Sequence, residues 1–454
     1  MVIMENSDKV KKSLDYSNKD AYACSVMGGA GETYVSPFAI QLGANNTQVG
    51  LLTAVANLVA PIFQLGAIKS LRHGVERKKI VTKAVFLQAA MFLPLMLIPF
   101  IFKSNQAVSY VILFFALYVI FGGYGGPAWG SWMGDLVPSN ERGKYFGRRN
   151  KIAGFIALMS TFVAGFVLDF FKSKIYLGFV IIFSVSMVGR YVSWYFLKKM
   201  YEPKLVIKEE NYFSLFKFVK KANSNNFGRF VFYIAFLNFA VNIAGPFFAV
   251  YMLRDLGFSY TQFMIATVTA SITSLLSMTF WGKIGDKYGN VRVMKITDWG
   301  IGFIPVFWIF ATNIYHVIII QAFAGFVWAG MNLTHFNFIY DAVTQQKRAI
   351  CMSYLNILRG ICVFVGAILG GIVSSKYALF GSGLFLIFLL SGFFRLLNSL
   401  IYLNSLKEVR VVEKGRPMLS LVMESWRGFV GKAIHTIYIG STSERKKRWK
   451  KWKK

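Results

Sequence analysis

The chain has 454 residues, of which 55% are hydrophobic, 17% aromatic and only 16% charged. That much apolar surface cannot be hidden in a water-soluble core of this size, so the composition excludes an ordinary soluble protein and makes lipid the solvent. The 51 Lys and Arg against 20 Asp and Glu give a formal charge of +31. Because the basic residues alternate from loop to loop, as described below, nucleic acid is excluded as the partner.

A hydrocarbon core about 30 Å thick needs roughly 20 apolar residues per helix. Twelve such spans are expected, near 21–42, 49–68, 80–102, 108–134, 152–171 and 175–197, then 229–252, 262–284, 293–312, 315–339, 353–374 and 379–404. Met1 to Asp20 is polar, so no cleavable signal is expected and the first apolar run reads as a span. That run carries Glu32 after Gly28, Gly29 and Gly31. An unpaired carboxylate in mid-membrane costs about 2.5–3.5 kcal/mol or more, so Glu32 is expected to face a cavity as a proton carrier or a ligand for a cation, the bland alternative being a buried structural carboxyl. In the fourth span, Gly122-Gly123-Tyr124-Gly125-Gly126-Pro127 predicts a kink, followed by Trp129 and Trp132. The seventh span carries Asn238 and Asn242, and the tenth Asn332, His335 and Asn337. Arg359, near the start of the eleventh, is expected to snorkel or pair rather than bind substrate.

The connections tell the orientation. Lys69, Arg72, Arg77, Lys78 and Lys79 crowd one loop, and Arg142, Lys144, Arg148, Arg149 and Lys151 another, whereas 43–48, 103–107, 255–261 and 375–378 hold almost no Lys or Arg. The positive-inside rule then places the basic loops and both termini in the cytoplasm of a multi-pass cell-membrane protein. The central stretch 198–228 reads as a basic amphipathic linker. The tail 405–454 carries an apolar face from Met418 to Ile437 and a polybasic end from Arg445 to Lys454, suited to an anionic cytoplasmic leaflet.

The two parts of the chain are near-copies. Asp135, Arg142, Asn150, Gly154 and Gly165 recur at one offset as Asp341, Arg348, Asn356, Gly360 and Gly371; Phe183, Ser186 and Arg190 recur as Phe388, Ser391 and Arg395; Leu42-Gly43 and Thr47-Gln48 recur as Leu256-Gly257 and Thr261-Gln262. Such repeats are the architecture of secondary transporters. The domains expected are a six-helix bundle over 1–197, the linker, a second bundle over 229–404, and the tail.

The segment Gly282-Lys283-Ile284-Gly285-Asp286-Lys287-Tyr288-Gly289 resembles the G-x-x-x-D-[RK]-x-G loop of the major facilitator superfamily. Its counterpart, Gly66 to Gly74, keeps the glycines but has Ser70 in place of the acid, and Trp132 to Gly147 resembles the loop after the family's fourth span. The resemblance covers roughly 20–405. It implies an all-α membrane fold of twelve transmembrane helices in two bundles related by a pseudo-two-fold axis, with a cavity lined by the first and fourth spans of each half. The polar residues named above from those spans are then the candidate substrate and coupling residues. For gating, Asp286 and Lys287, Asp135 with Arg142, and Asp341 with Arg348 are the candidates, with Arg190 and Arg395 as deep partners, against a static ion-pair belt as the bland alternative.

There is no P-loop, no H-E-x-x-H and no Cys/His cluster, so no enzyme activity, cofactor or metal is expected. Cys24, Cys351 and Cys362 sit in or beside spans and suggest no disulfide framework. The function expected is a secondary active transporter of a small organic solute, working as a monomer by alternating access with a proton or other ion as coupling partner, proton coupling running through Glu32. The alternatives are a lipid or amphiphile translocase on the same fold, and a membrane receptor or scaffold that does not transport. The scarcity of basic residues expected near mid-span weighs against anionic substrates.

Overall fold

The computed structural model describes residues 2–138, 141–203, 215–222, 224–379, 381–410 and 412. In the first half, α1 (Val2–Ala30) passes through a 3-10 turn at Glu32–Tyr34 into α2 (Val35–Gln41). Then come α3 (Asn46–Arg72), the stacked pair α4 (Arg77–Ala90) and α5 (Phe92–Ile101), α6 (Ser104–Leu136), α7 (Arg142–Phe170) and α8 (Ile175–Lys199). After the linker helix α9 (Leu215–Ala222), α10 (Asn226–Ala244) runs on through α11 (Phe247–Val250) into a π-helical turn at Tyr251–Asp255. The second half ends with α12 (Tyr260–Tyr288), α13 (Asn290–Ile309), α14 (Ile314–Ala342), α15 (Gln345–Lys376) and α16 (Gly383–Tyr402).

Ten of the helices among the described residues are long and apolar enough to cross a membrane. The two remaining expected spans are helical too, but each departs from a plain apolar rod. The first is broken beside Glu32, and the ninth, α13, carries Arg292, Lys295 and Asp298 within its 20 residues. The chain is a multi-pass, nearly all-α membrane protein.

The duplication is visible in the packing. Helix α1 lies on α7 and α8 as α10 lies on α15 and α16; α6 packs on α3 and α4 as α14 packs on α12 and α13. Across the halves, α3 lies along α15 and α12 along α7, which are the same contact related by the pseudo-two-fold. The repeated short motifs find their reasons here. Gly43 and Gly257 both hold positive φ, 89° and 62°, a conformation that costs glycine least. Just after each of these turns, the repeated Gln48 and Gln262 close capping boxes with Asn45 and Ser259 at the starts of α3 and α12.

Glycines set how closely helices approach. Gly366 and Gly370, four residues apart on α15, face α10 so tightly that an added Cβ would overlap the Phe239 and Ile243 carbonyl oxygens. This is the small-residue spacing by which membrane helices pack without a hydrophobic driving force. Gly370→Ala is expected to destabilise the protein by about 1–3 kcal/mol, since neither backbone can yield by rotamer change. Gly147→Ala, with open space at its Cβ, is the control; equal thermal unfolding midpoints for the two variants in detergent would refute the steric argument.

Three of the sequence features can be placed in the structure. Gly122 to Pro127 lie within one continuous helix, α6, where Gly122 and Gly123 admit Gln88 of α4 and Ala60 of α3. The polar N-terminal stretch is helical from Val2 and packs against its neighbours, Ser13 accepting the Tyr201 amide at 2.7 Å. In the linker, Phe218 is buried against Phe227 and Tyr354, while Phe216 is exposed. The tail expectations from Met418 to Ile437 and Arg445 to Lys454 lie outside the described residues.

Candidate functional site

The break in the first span sets Glu32. Gly29 and Gly31 press α1 onto Ala157 and Ser186 of α7 and α8, and the helix reforms only after the 3-10 turn, leaving the carboxylate turned into a cavity of about 480 Å³. Its Oε2 accepts the Tyr118 hydroxyl at 3.2 Å, and no described Lys or Arg lies within ion-pair distance. The opposite wall is α15, where Asn356, Arg359 and Gly360 line the same cavity. Arg359 does not snorkel: its Nε donates to Asn238 Oδ1 at 3.0 Å, and its side chain faces the cavity. Asn57 and Gln64 of α3 complete the polar lining. A second, larger cavity of about 700 Å³ lies on the α7/α12 side, with Thr33, Thr161, Ser271, Gln321, Trp328 and Arg395 among its walls. The repeat explains the difference only in part. Gly360 is jammed against the Asn57 carbonyl, whereas its counterpart Gly154 meets nothing and lines the larger cavity.

Of the residues expected around Glu32, Asn238 holds Arg359 but does not itself line that cavity. Asn242 bonds back to the Asn238 carbonyl at 2.8 Å within its own helix. Asn332 is exposed on α14 and lines neither cavity. His335 stands edge-on between Phe230 and Tyr233, ring centroids 5.6 Å from each, with Nε2 buried and unpartnered among the described residues. Three expected cavity residues lie elsewhere. Trp132 is fully buried with Nε1 on the Tyr201 carbonyl, Trp129 stacks under Arg149 at 4.9 Å beside a small pocket, and Asn337 meets Asn290 near the end of α14. On a helix of 29 or more residues, one turn too far along moves a side chain about 5 Å down the axis, from cavity to packing.

Among the described side chains, the gating acids take partners from other elements. Asp135 pairs with fully buried Arg77 at 2.5 Å, and Arg77 also reaches Glu202 at 3.2 Å. Glu202 in turn accepts the Arg77 and Lys78 amides, capping α4. Glu408 does the same for Val291 at the start of α13. Asp341 takes Arg410 at 2.7 Å, which also touches Asp286 at 3.4 Å; the bond from Asp341 holds the Arg410 guanidinium above its ordinary pKa. Asp286 is 77% exposed, so that pair is worth about 0–1 kcal/mol. Lys287 lies over the Tyr288 ring at 5.2 Å. The side chains of Arg142 and Arg348 lie outside the described residues. The repeated arginines bond within their own halves, Arg190 to Gln88, Ser193 and Cys24, and Arg395 to the Ile301 and Val241 carbonyls. Neither reaches Asp135 or Asp341.

Buried acids that the sequence reading misses belong to these networks. Asp20 takes Arg149 at 3.2 Å and Ser193 at 2.6 Å, and Asp298 takes Ser399 at 2.5 Å. Asp20 is hidden by its place at the end of a polar stretch, Asp298 by an otherwise apolar span.

The hydrogen bonds seen between the halves cluster at the end away from the basic loops. Asp169, ending α7, accepts the Tyr260 and Thr261 amides of α12 at 2.9 Å each; Thr47 reaches the Gly371 carbonyl and Ser375; Arg254 reaches Asn46 at 2.6 Å. At the basic end the ion-pair networks among the described residues each stay inside one half.

No curated protein matches the sequence. Solved structures do resemble it in fold: the nucleoside transporter NupG (13% identity, TM-score 0.65, 87% of this chain and 99% of that one), a D-xylose-proton symporter (13%, 0.68, 88% and 98%), and the xylose transporter XylE from E. coli in a partially occluded inward-open conformation (13%, 0.63, 90% and 100%). The model of the Major Facilitator Superfamily matches twice, over residues 21–243 and 230–443, once for each half. With both halves matched and the helices of each packed in the same order, the chain belongs to the Major Facilitator Superfamily.

Proposed function

We propose that this protein is a secondary active transporter that carries a small organic solute across the cell membrane by alternating access, with Glu32 as the proton-coupling residue. The observation that carries the reading is the polar cavity between the halves, holding a carboxylate from one and a guanidinium from the other beneath a bonded seam at one end. By the positive-inside rule the basic loops face the cytoplasm, so this conformer is inward-facing. The rocking of two bundles about a midplane site then exposes Glu32 to each side in turn. An acid there moves a proton with the cycle if it changes protonation between the two orientations.

The test needs no known solute. In a variant freed of Cys24, Cys351 and Cys362, Gln64→Cys places a thiol in the cavity wall. It is expected to react with a membrane-impermeant maleimide from the cytoplasmic face of oriented vesicles and not from the outer face. Reaction from neither face, or from both at equal rates, would sink the inward-facing reading.

A further inference from the structure

The same cavity also constrains what it carries, and the following rests on the transport reading. We infer that the solute is zwitterionic, its anionic group held by Arg359 and its cationic group by Glu32. Both side chains line one cavity of about 480 Å³, and they come from opposite halves, Arg359 from α15 and Glu32 from the break after α1. Neither is neutralised. Among the described residues Glu32 holds only the neutral Tyr118 hydroxyl, and Arg359 only the neutral Asn238 amide; no described group of opposite charge lies within ion-pair distance of either, including each other.

Two lone charges of opposite sign inside a membrane protein are costly once water leaves. An inward-facing cavity keeps them wet; closing it on nothing strands both. A solute bearing one charge pairs with one of them and leaves the other buried alone, which is the expensive outcome for a broken ion pair. A zwitterion satisfies both and leaves the cavity at zero net charge. Because its two ends then touch different halves, it binds the closed arrangement better than the open one, which is the condition for a ligand to drive closure. Asn57, Gln64 and Asn356 supply neutral donors and acceptors for the body between the charges. The volume suits a compact solute, at the low end of the usual range for small-molecule sites. The proton and the solute's cationic group would occupy the Glu32 carboxylate in turn, which makes the exchange an antiport.

The experiment uses the purified full chain and measures binding by thermal shift and by microcalorimetry. The probes are glycine, leucine, γ-aminobutyrate and glycylglycine, spanning different charge separations, together with the N-acetyl derivative and the amide of the best binder. At least one zwitterion is expected to bind, and removal of either of its charges to weaken binding about tenfold or more. Glu32→Gln should lose the preference for the zwitterion over its N-acetyl anion, and Arg359→Gln the preference over its amide. A merely structural role for either residue would lower all affinities together and leave those ratios unchanged. The inference is overturned if no zwitterion binds, if the N-acetyl anion binds as well as its parent, or if the ratios survive both substitutions. The transport reading fails separately, if a zwitterion binds as described yet never alters maleimide access at Gln64→Cys.

Discussion

Glu32→Gln is expected to abolish solute accumulation driven by an imposed pH gradient while leaving the fold intact. Glutamine keeps the side chain's shape and can still accept the Tyr118 hydroxyl, but it cannot exchange a proton. One proton moved across one pH unit is worth about 1.4 kcal/mol, enough for about a tenfold concentration ratio. In liposomes with the best-binding zwitterion at equal concentration on both sides, the wild type should approach that ratio, and the variant should stay at unity. Because the variant also binds the zwitterion less tightly, the comparison is made at saturating solute. Full pH-driven accumulation by the variant would remove Glu32 from coupling and leave it a packing residue beside Tyr118.

The second large effect belongs to Asp169, to which no motif points. Its carboxylate accepts two backbone amides at the first turn of α12, across the seam between the halves. Hydrogen bonds to a charged group contribute about 1.5–3 kcal/mol, and the helix terminus adds to the attraction. Asp169→Ala therefore removes a contact made only while that end is shut. The equilibrium should move toward the outward-open form by about tenfold to a hundredfold. Spin labels at Ser173→Cys and Ala378→Cys, exposed positions on either side of the seam, should report a new, longer distance in the variant. An unchanged distance distribution would mean that the seam is held elsewhere, by Thr47 and Gly371 or by Arg254 and Asn46. By contrast Asp286, first in line from its loop motif, pairs weakly here and within its own half, so the contact that holds this conformer shut is expected at Asp169 rather than there.

Much of the protein is legible before folding because the bilayer makes it so. Lipid demands long apolar helices, and duplication copies local devices. The recurrence of Leu42-Gly43 and Thr47-Gln48 as Leu256-Gly257 and Thr261-Gln262 marks two equivalent turns and caps. The glycines before Glu32 likewise mark a helix pressed against its neighbours and then broken. Repeated and periodic features of this kind depend on residues near one another in the chain, so the sequence by itself determines the all-helical membrane fold, its two halves and the place of the unpaired acid.

What only the tertiary structure decided is which charges meet. Among the described side chains, Asp135 takes Arg77 from another helix, and Asp341 takes Arg410 from beyond the last helix. Arg359 reads as a residue that snorkels or pairs, and it lines the cavity that holds Glu32 only because α15 lies against α3, opposite the break in the first span. Side-chain partners across helices depend on rotation and tilt of whole rods, and an error of a residue or two turns a helical side chain through about 100° or 200°. Local patterning carries no record of that rotation. The meeting of Glu32 and Arg359 across one cavity is therefore a fact of packing alone.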